Sequence, residues 1–347
     1  MNRNIAASCA LLLAVAASAP QRYDWSGEKL EETFGSETAS DAASTQNACR
    51  ARLIIEPPAS DWPSAREREE LKGCDSEALY YGIGRTADPV AARKCALIER
   101  EREVGPSAPD FAGLGYSYFS GTGILAMIYA NGTGTARNLD VAIHMACGVE
   151  DAPAASMSRI AELLERQTGK GRGGKFEICN DATSGISEGY CADHANRLAE
   201  QIREQRTAAL GARWTEPQHR LFAQVFASFS KYAEIAHDMD CFGGTAHVAC
   251  TIVAASADQD DFLHRIEALA AGRRPAPRTL HDGGSPSPAI APLDLAGVPK
   301  EQRWSYRNNY QAAVASRAIF ERDLVAFMRA AFPEWSAHDV RVMFRDL

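Results

Sequence analysis

With 347 residues, 46% of them hydrophobic, the chain is too long and too apolar for disorder to be its default, and long enough for two domains with real cores. Its formal net charge of −8 argues against nucleic acid as a partner and suits a basic protein instead.

The N-terminus reads as a secretory signal, residues 1–19. Arg3 supplies the positive start, Ile5 to Ala17 the apolar stretch, and Ala14-Val15-Ala16 and Ala17-Ser18-Ala19 two small-residue cleavage sites. A lipoprotein reading through Cys9 fails, because the apolar stretch follows that cysteine. The apolar stretch is too short to cross a bilayer, and nothing later reaches the roughly 18 residues needed. The expected location is periplasmic or secreted.

Removing Cys9 leaves eight cysteines: Cys49, Cys74, Cys95, Cys147, Cys179, Cys191, Cys241 and Cys250. An even number in an exported chain predicts four disulfides. Metal spacings such as Cys-x-x-Cys are absent. Four cysteines precede residue 150 and four follow residue 178, so each half is expected to pair internally, with the connectivity open.

Residues 20–48 are polar and small, and read as a flexible lead-in. From Cys49 to residue 168 the pattern is helical. Leu79-Tyr80-Tyr81-Gly82-Ile83-Gly84 leads to Asp88 and Ala91-Ala92. Leu125-Ala126-Met127-Ile128-Tyr129 leads to Gly132-Thr133-Gly134, then Leu139-Asp140 and Cys147. Each predicts a helix, a tight Gly-x-Gly turn and a second helix packed closely through alanines. The pattern resembles the Sel-one-like repeat, a relative of the tetratricopeptide repeat; the second copy is the better match, and the first is read as one residue shorter before its Gly-x-Gly. The resemblance implies stacked helical hairpins that hold a protein or peptide.

Thr168 to Lys175 contains a Gly-x-x-x-x-Gly-Lys run, but Phe176 stands where a phosphate loop needs Ser or Thr, and a helix precedes it. Residues 169–175 are read as a linker. In the following segment, 176–272, Ala195, Leu198, Ile202 and Ala209 share a helical face, opposite Glu200, Arg203, Glu204 and Arg206, which are read as a solvated face. Gly211 ends that helix. Thr215-Glu216-Pro217-Gln218 predicts a capping box, and Phe222, Val225, Phe226, Phe229, Tyr232, Ala233 and Ala236 predict a core-facing stripe. Asp240-Cys241-Phe242-Gly243-Gly244 breaks the helix, and Thr245 is expected to cap the next. Cys241 with Cys250 suits a locked corner, and Cys179 with Cys191 another; crossed pairings stay open.

This stretch, about a quarter of the chain, resembles the LprI-type lysozyme-inhibitor family. The resemblance lies in Cys179 and Cys191, in the aromatic helix ending Asp238-Met239-Asp240-Cys241, and in Gly243-Gly244-Thr245 before a further helix. After a Pro/Gly/Ser-rich linker, 273–297, residues 298–347 continue on helical spacing. Glu321-Arg322-Asp323-Leu324 and Ala330-Ala331-Phe332-Pro333 resemble the second half of that family's domain, with altered aromatic anchors at Ile319-Phe320.

The expected fold is all-α: a short helical-hairpin module followed by a disulfide-braced helical domain. Motifs for hydrolytic or metal chemistry are missing: no His-Glu-x-x-His and no Gly-x-Ser-x-Gly. His237, Asp238 and Asp240 do not converge on a helix, and Asp258, Asp260 and Asp261 lack the rest of an EF-hand loop. The expectation is a non-enzymatic protein without cofactor or metal. The family resemblance implies lysozyme or another muramidase as partner. The sequence adds a charge argument: Cys179 to Gly272 carries thirteen Asp or Glu and seven Lys or Arg, a formal −6. Such a surface speeds encounter with a basic partner. Expected contacts are Glu234, Asp238, Asp240, Phe242, Gly243, Gly244 and Thr245. The rival expectation is a periplasmic immunity or envelope-assembly protein that binds through the helical repeat.

Overall fold

Twelve α-helices and no strand occur among the described residues of this chain, which is represented by a computed structural model covering 39–103, 118–149, 151–171, 173–241, 244–275, 300 and 303–344. The expected signal peptide, most of the lead-in, Phe242, Gly243 and nearly all of the linker 273–297 lie outside the described residues. No described helix is long and apolar enough to cross a membrane.

The first seven helices are α1 (Ala39–Arg50), α2 (Ala65–Glu70), α3 (Ser76–Tyr81), α4 (Pro89–Glu103), α5 (Gly121–Asn131), α6 (Leu139–Cys147) and α7 (Pro153–Gln167). Hairpins α3–α4 and α5–α6 share one turn. Gly82 and Gly132 end the first helix of each hairpin with φ of 79° and 66°, a left-handed conformation that a Cβ disfavours. Asp88 N–H then donates to the Leu79 carbonyl (2.8 Å), and Asn138 N–H to the Tyr129 carbonyl (2.9 Å). The Asp88 and Asn138 side chains cap the second helices, accepting from Ala91 and Val141 N–H. The turns are therefore equal in length, Gly82 to Asp88 against Gly132 to Asn138, and the two copies differ before the Gly-x-Gly, where the first has a helix of 6 residues and the second one of 11. The hairpins stack closely: a Cβ at Gly134 would fall 2.6 Å from the Pro89 carbonyl.

Helix α1 corrects the flexible lead-in. Its Ala42, Thr45, Gln46 and Ala48 are buried, and Cys49–Cys147 fastens it to the end of α6. Small side chains let it lie against its neighbours, so the ordered unit begins before Cys49. At the other end, the boundary expected at 176 cuts through packing. Phe176 and Ile178 are buried in the same core as Leu97, Leu125 and Tyr129, and Cys179 and Cys191 pack against it.

The remaining helices are α8 (Gly185–Gly211), α9 (Glu216–Asp240), α10 (His247–Ala270), α11 (Arg303–Ala331) and α12 (Ala337–Met343). Helix α9 opens on the expected Thr215/Gln218 capping box with Pro217 in its first turn. Its aromatic stripe enters a second core: Phe222, Phe229 and Tyr232 meet Phe262 of α10 and Phe320 and Phe327 of α11. Residues beyond 303 thus complete the second core. Helix α11 runs antiparallel to α9, with contacts from Gln218–Ala330 at one end to Asp238–Asn309 at the other. Helix α8 packs on α10, places Leu210 of its last turn in that core and also touches the first unit.

All eight expected cysteines pair within their halves: Cys49–Cys147, Cys74–Cys95, Cys179–Cys191 and Cys241–Cys250. Four such disulfides fit an oxidising compartment.

Candidate functional site: an acidic groove beside a braced corner

The α9 stripe that faces the core leaves the opposite face of the helix free. Glu234 and Asp238, one turn apart, project there. They line a groove of about 510 Å3 formed by four helices. Helix α8 contributes Asp193 and Asn196, α10 contributes Ile252, Ala255 and Ser256, and α11 contributes Asn309 and Ala312. Ile235, Ile252, Ala255 and Ala312 make an apolar lining, with the carboxylates of Asp193, Glu234 and Asp238 around it. Glu234 and Asp193 are exposed; Asp238 is half-buried.

Asp238 is held in place. His247 Nε2 lies 2.9 Å from its Oδ1, and Asn309 Nδ2 donates to Oδ2 at 3.2 Å. Those partners come from α10 and α11, so this carboxylate fixes the end of the groove. Next to it the corner is braced three ways. Cys241 and Cys250 join the end of α9 to the first turn of α10. Tyr306 Oη donates to the Met239 carbonyl (3.3 Å). Gly185 at the start of α8 seats against the Thr245 peptide so tightly that a Cβ would lie 2.0 Å from its carbonyl carbon.

Beneath the corner, His237 Nε2 lies 2.8 Å from Asp258 Oδ2, both residues buried. Asp240, in the same turn as His237, has its carboxyl pushed above the usual range, first by burial and then by the Asp258 charge, with His237 opposing.

The structure thus gathers two of the expected contact residues, Glu234 and Asp238, into one groove. Asp240 lies beyond them and does not line it. Gly244 is exposed, with φ of 80° and nothing within 4 Å of where a Cβ would stand, which makes it a turn residue. Thr245 is exposed and does not cap α10; Ala246 takes that position without a side-chain bond, while the Thr245 peptide is committed to Gly185. Sequence reasoning missed Asp193 and Asn196, because the face assigned to α8 was turned. Expected core residues Ala195, Ile202 and Ala209 are exposed, whereas Arg203 is buried on α10. The remaining signal was the proximity of Asp193 to Cys191, whose disulfide fixes the start of α8.

The grooved array is tied to the hairpin unit through the same helix. His194 stacks on Phe119 (4.1 Å between ring centroids, 13°) and leans on Tyr81. Its Nδ1 lies 2.5 Å from Glu77 Oε1, so Nδ1 carries the proton in this hydrogen bond. Arg197, one turn on, pairs with Glu77 and Asp75.

No family model matches the chain, and neither does a curated protein or a solved structure. The likenesses to Sel-one-like repeats and to LprI-type inhibitors therefore rest on their short motifs alone.

Proposed function

We propose that this is an exported, non-enzymatic protein that captures a basic protein through the α8–α11 groove, with lysozyme or a related muramidase as the target class. The observation that carries the reading is the groove itself, an apolar floor edged by Asp193, Glu234 and Asp238 from two helices. Lysine and arginine are matched to such a site: their stems lie on apolar surface while the charged head reaches carboxylates. The formal −6 on Cys179 to Gly272 adds long-range attraction for a cationic partner.

The test uses the full chain, because α8 packs against both units and truncation would strip one of them. Purified protein is titrated into a lysozyme turbidity assay on peptidoglycan, beside an Asp193→Asn/Glu234→Gln variant. Inhibition by the native chain, and affinity lowered roughly tenfold in the variant, is the expected outcome. No inhibition at stoichiometric excess removes lysozyme from the reading.

A further inference from the structure

Three of the four disulfides are built into a core. Cys95 is fully buried, and Cys49, Cys74, Cys147, Cys179 and Cys191 pack against the first hydrophobic cluster. Cys241–Cys250 belongs to neither cluster. Cys250 is exposed, and it is the one cysteine among the described residues in that class. Thiol–disulfide exchange requires access of an attacking thiolate to sulfur, so exposure separates this bond from the other three.

Its place in the fold gives that difference a consequence. Asp238 lies one turn before Cys241, and Thr251 and Ile252 directly follow Cys250; all three line the groove. The bond therefore joins the two helices on which one end of the groove is built. It is the covalent tie at this corner; the others are the His247–Asp238 pair, the Tyr306 hydrogen bond to the Met239 carbonyl and the seat of Thr245 on Gly185.

We infer that Cys241–Cys250 is a thiol–disulfide exchange site, opened by a soluble dithiol, and that its state controls the groove. The site itself stands on exposure and packing; its control of the groove rests on the binding function proposed above. In the reaction one thiolate of the dithiol attacks Cys250 sulfur, forms a mixed disulfide and expels the Cys241 thiolate. The second thiol of the reductant then attacks its own sulfur in that mixed disulfide and expels the Cys250 thiolate. Two electrons pass to the protein, the reductant leaves as its internal disulfide, and its two thiol protons balance those taken up by Cys241 and Cys250.

Full-length oxidised protein is titrated with dithiothreitol, quenched with iodoacetamide and mapped by peptide mass spectrometry. Cys241 and Cys250 are expected to be alkylated while the other six remain paired. Parallel opening of all four bonds, or earlier opening of another, overturns the exchange site. Binding of a fluorescent oligoarginine peptide, with its neutral citrulline counterpart as control, is then followed by anisotropy. The oxidised chain is expected to bind oligoarginine, and both the selectively reduced chain and a Cys241→Ser/Cys250→Ser variant to bind it at least fivefold more weakly. Undiminished binding in both overturns control of the groove. Failure of the oxidised chain to bind oligoarginine sinks the groove reading and the control together, and leaves the exchange site to be judged by the mass map alone.

Discussion

Arg203 of α8 donates from Nη1 to Ser256 Oγ of α10 at 3.0 Å, with its other terminal nitrogen donating to Asn196 at 2.7 Å. It is 2% exposed, so the seam between these helices is closed by a guanidinium instead of a leucine. Arg206 continues the seam with a two-pronged pair to Glu267 at 2.8 and 2.9 Å, which holds the Glu267 carboxyl below its usual range. Replacing Arg203 by Ala is expected to cost about 2–3 kcal/mol through lost hydrogen bonds and lost packing of its stem. An Arg203→Met variant should recover part of that loss. Urea unfolding of the three proteins checks both expectations.

That seam also explains what the sequence could and could not reveal. The aromatic stripe of α9 was legible because seven apolar residues at helical spacing admit one buried face, and that face is the one observed. The Gly-x-Gly turns and the Thr215 capping box were legible because their backbone chemistry is local. Helix α8 was not. Its outward Ala195 and Ile202 look like a core stripe, while its buried side is held by arginines whose partners, Ser256, Asp260 and Glu267, lie on another helix. The groove shared that limit: Glu234 and Asp238 were readable as neighbours on one helix, but Asp193 joins them through tertiary packing.

Gly185 gives a sharper test of the corner. A methyl group there would fall 2.0 Å from the Thr245 carbonyl carbon and 2.4 Å from the Ala246 nitrogen, both backbone atoms with little room to yield. Gly185→Ala is therefore expected to destabilise the protein by about 1–3 kcal/mol, as overpacking does, although alanine is the better helix former. At Gly189, where the same methyl would meet Val248 at 3.6 Å, Ala should be neutral or slightly stabilising. Thermal melts of the two variants separate close approach from helix propensity.

His194 predicts how the junction responds to pH. Burial pushes its pKa down to about 4, against the opposing pull of the Glu177 and Asp193 carboxylates. In the unfolded chain the imidazole titrates near about 6.5. Between these values the unfolded state binds the proton and the folded state does not. The stabilising contribution is complete above about pH 6.5 and is lost progressively as pH falls through about 4. After allowance for partial solvent screening, stability should fall by about 1–2 kcal/mol from pH 7 to pH 5 on this account. His194→Gln retains a donor for Glu77 without titrating, so its urea midpoint should change less over that interval. An equal pH response in both proteins would remove His194 as the source.

The pair beneath the corner couples stability to the charge on Asp240. Asp258 is 1% exposed and accepts from His237, so Asp258→Ala leaves that ring nitrogen without its acceptor in a dry setting. A loss of about 3 kcal/mol is expected, with a smaller loss for Asp258→Asn, which keeps an acceptor oxygen. The charge effect has its own readout. The Asp258 charge helps to hold the Asp240 carboxyl above the usual carboxylate range, so either variant should move the Asp240 titration down. Carboxyl carbon NMR of Asp240 follows that shift independently of unfolding. A titration that stays in place in Asp258→Asn would leave burial as the whole cause; one that falls while the fold persists shows the Asp258 charge reaching the surface of the corner.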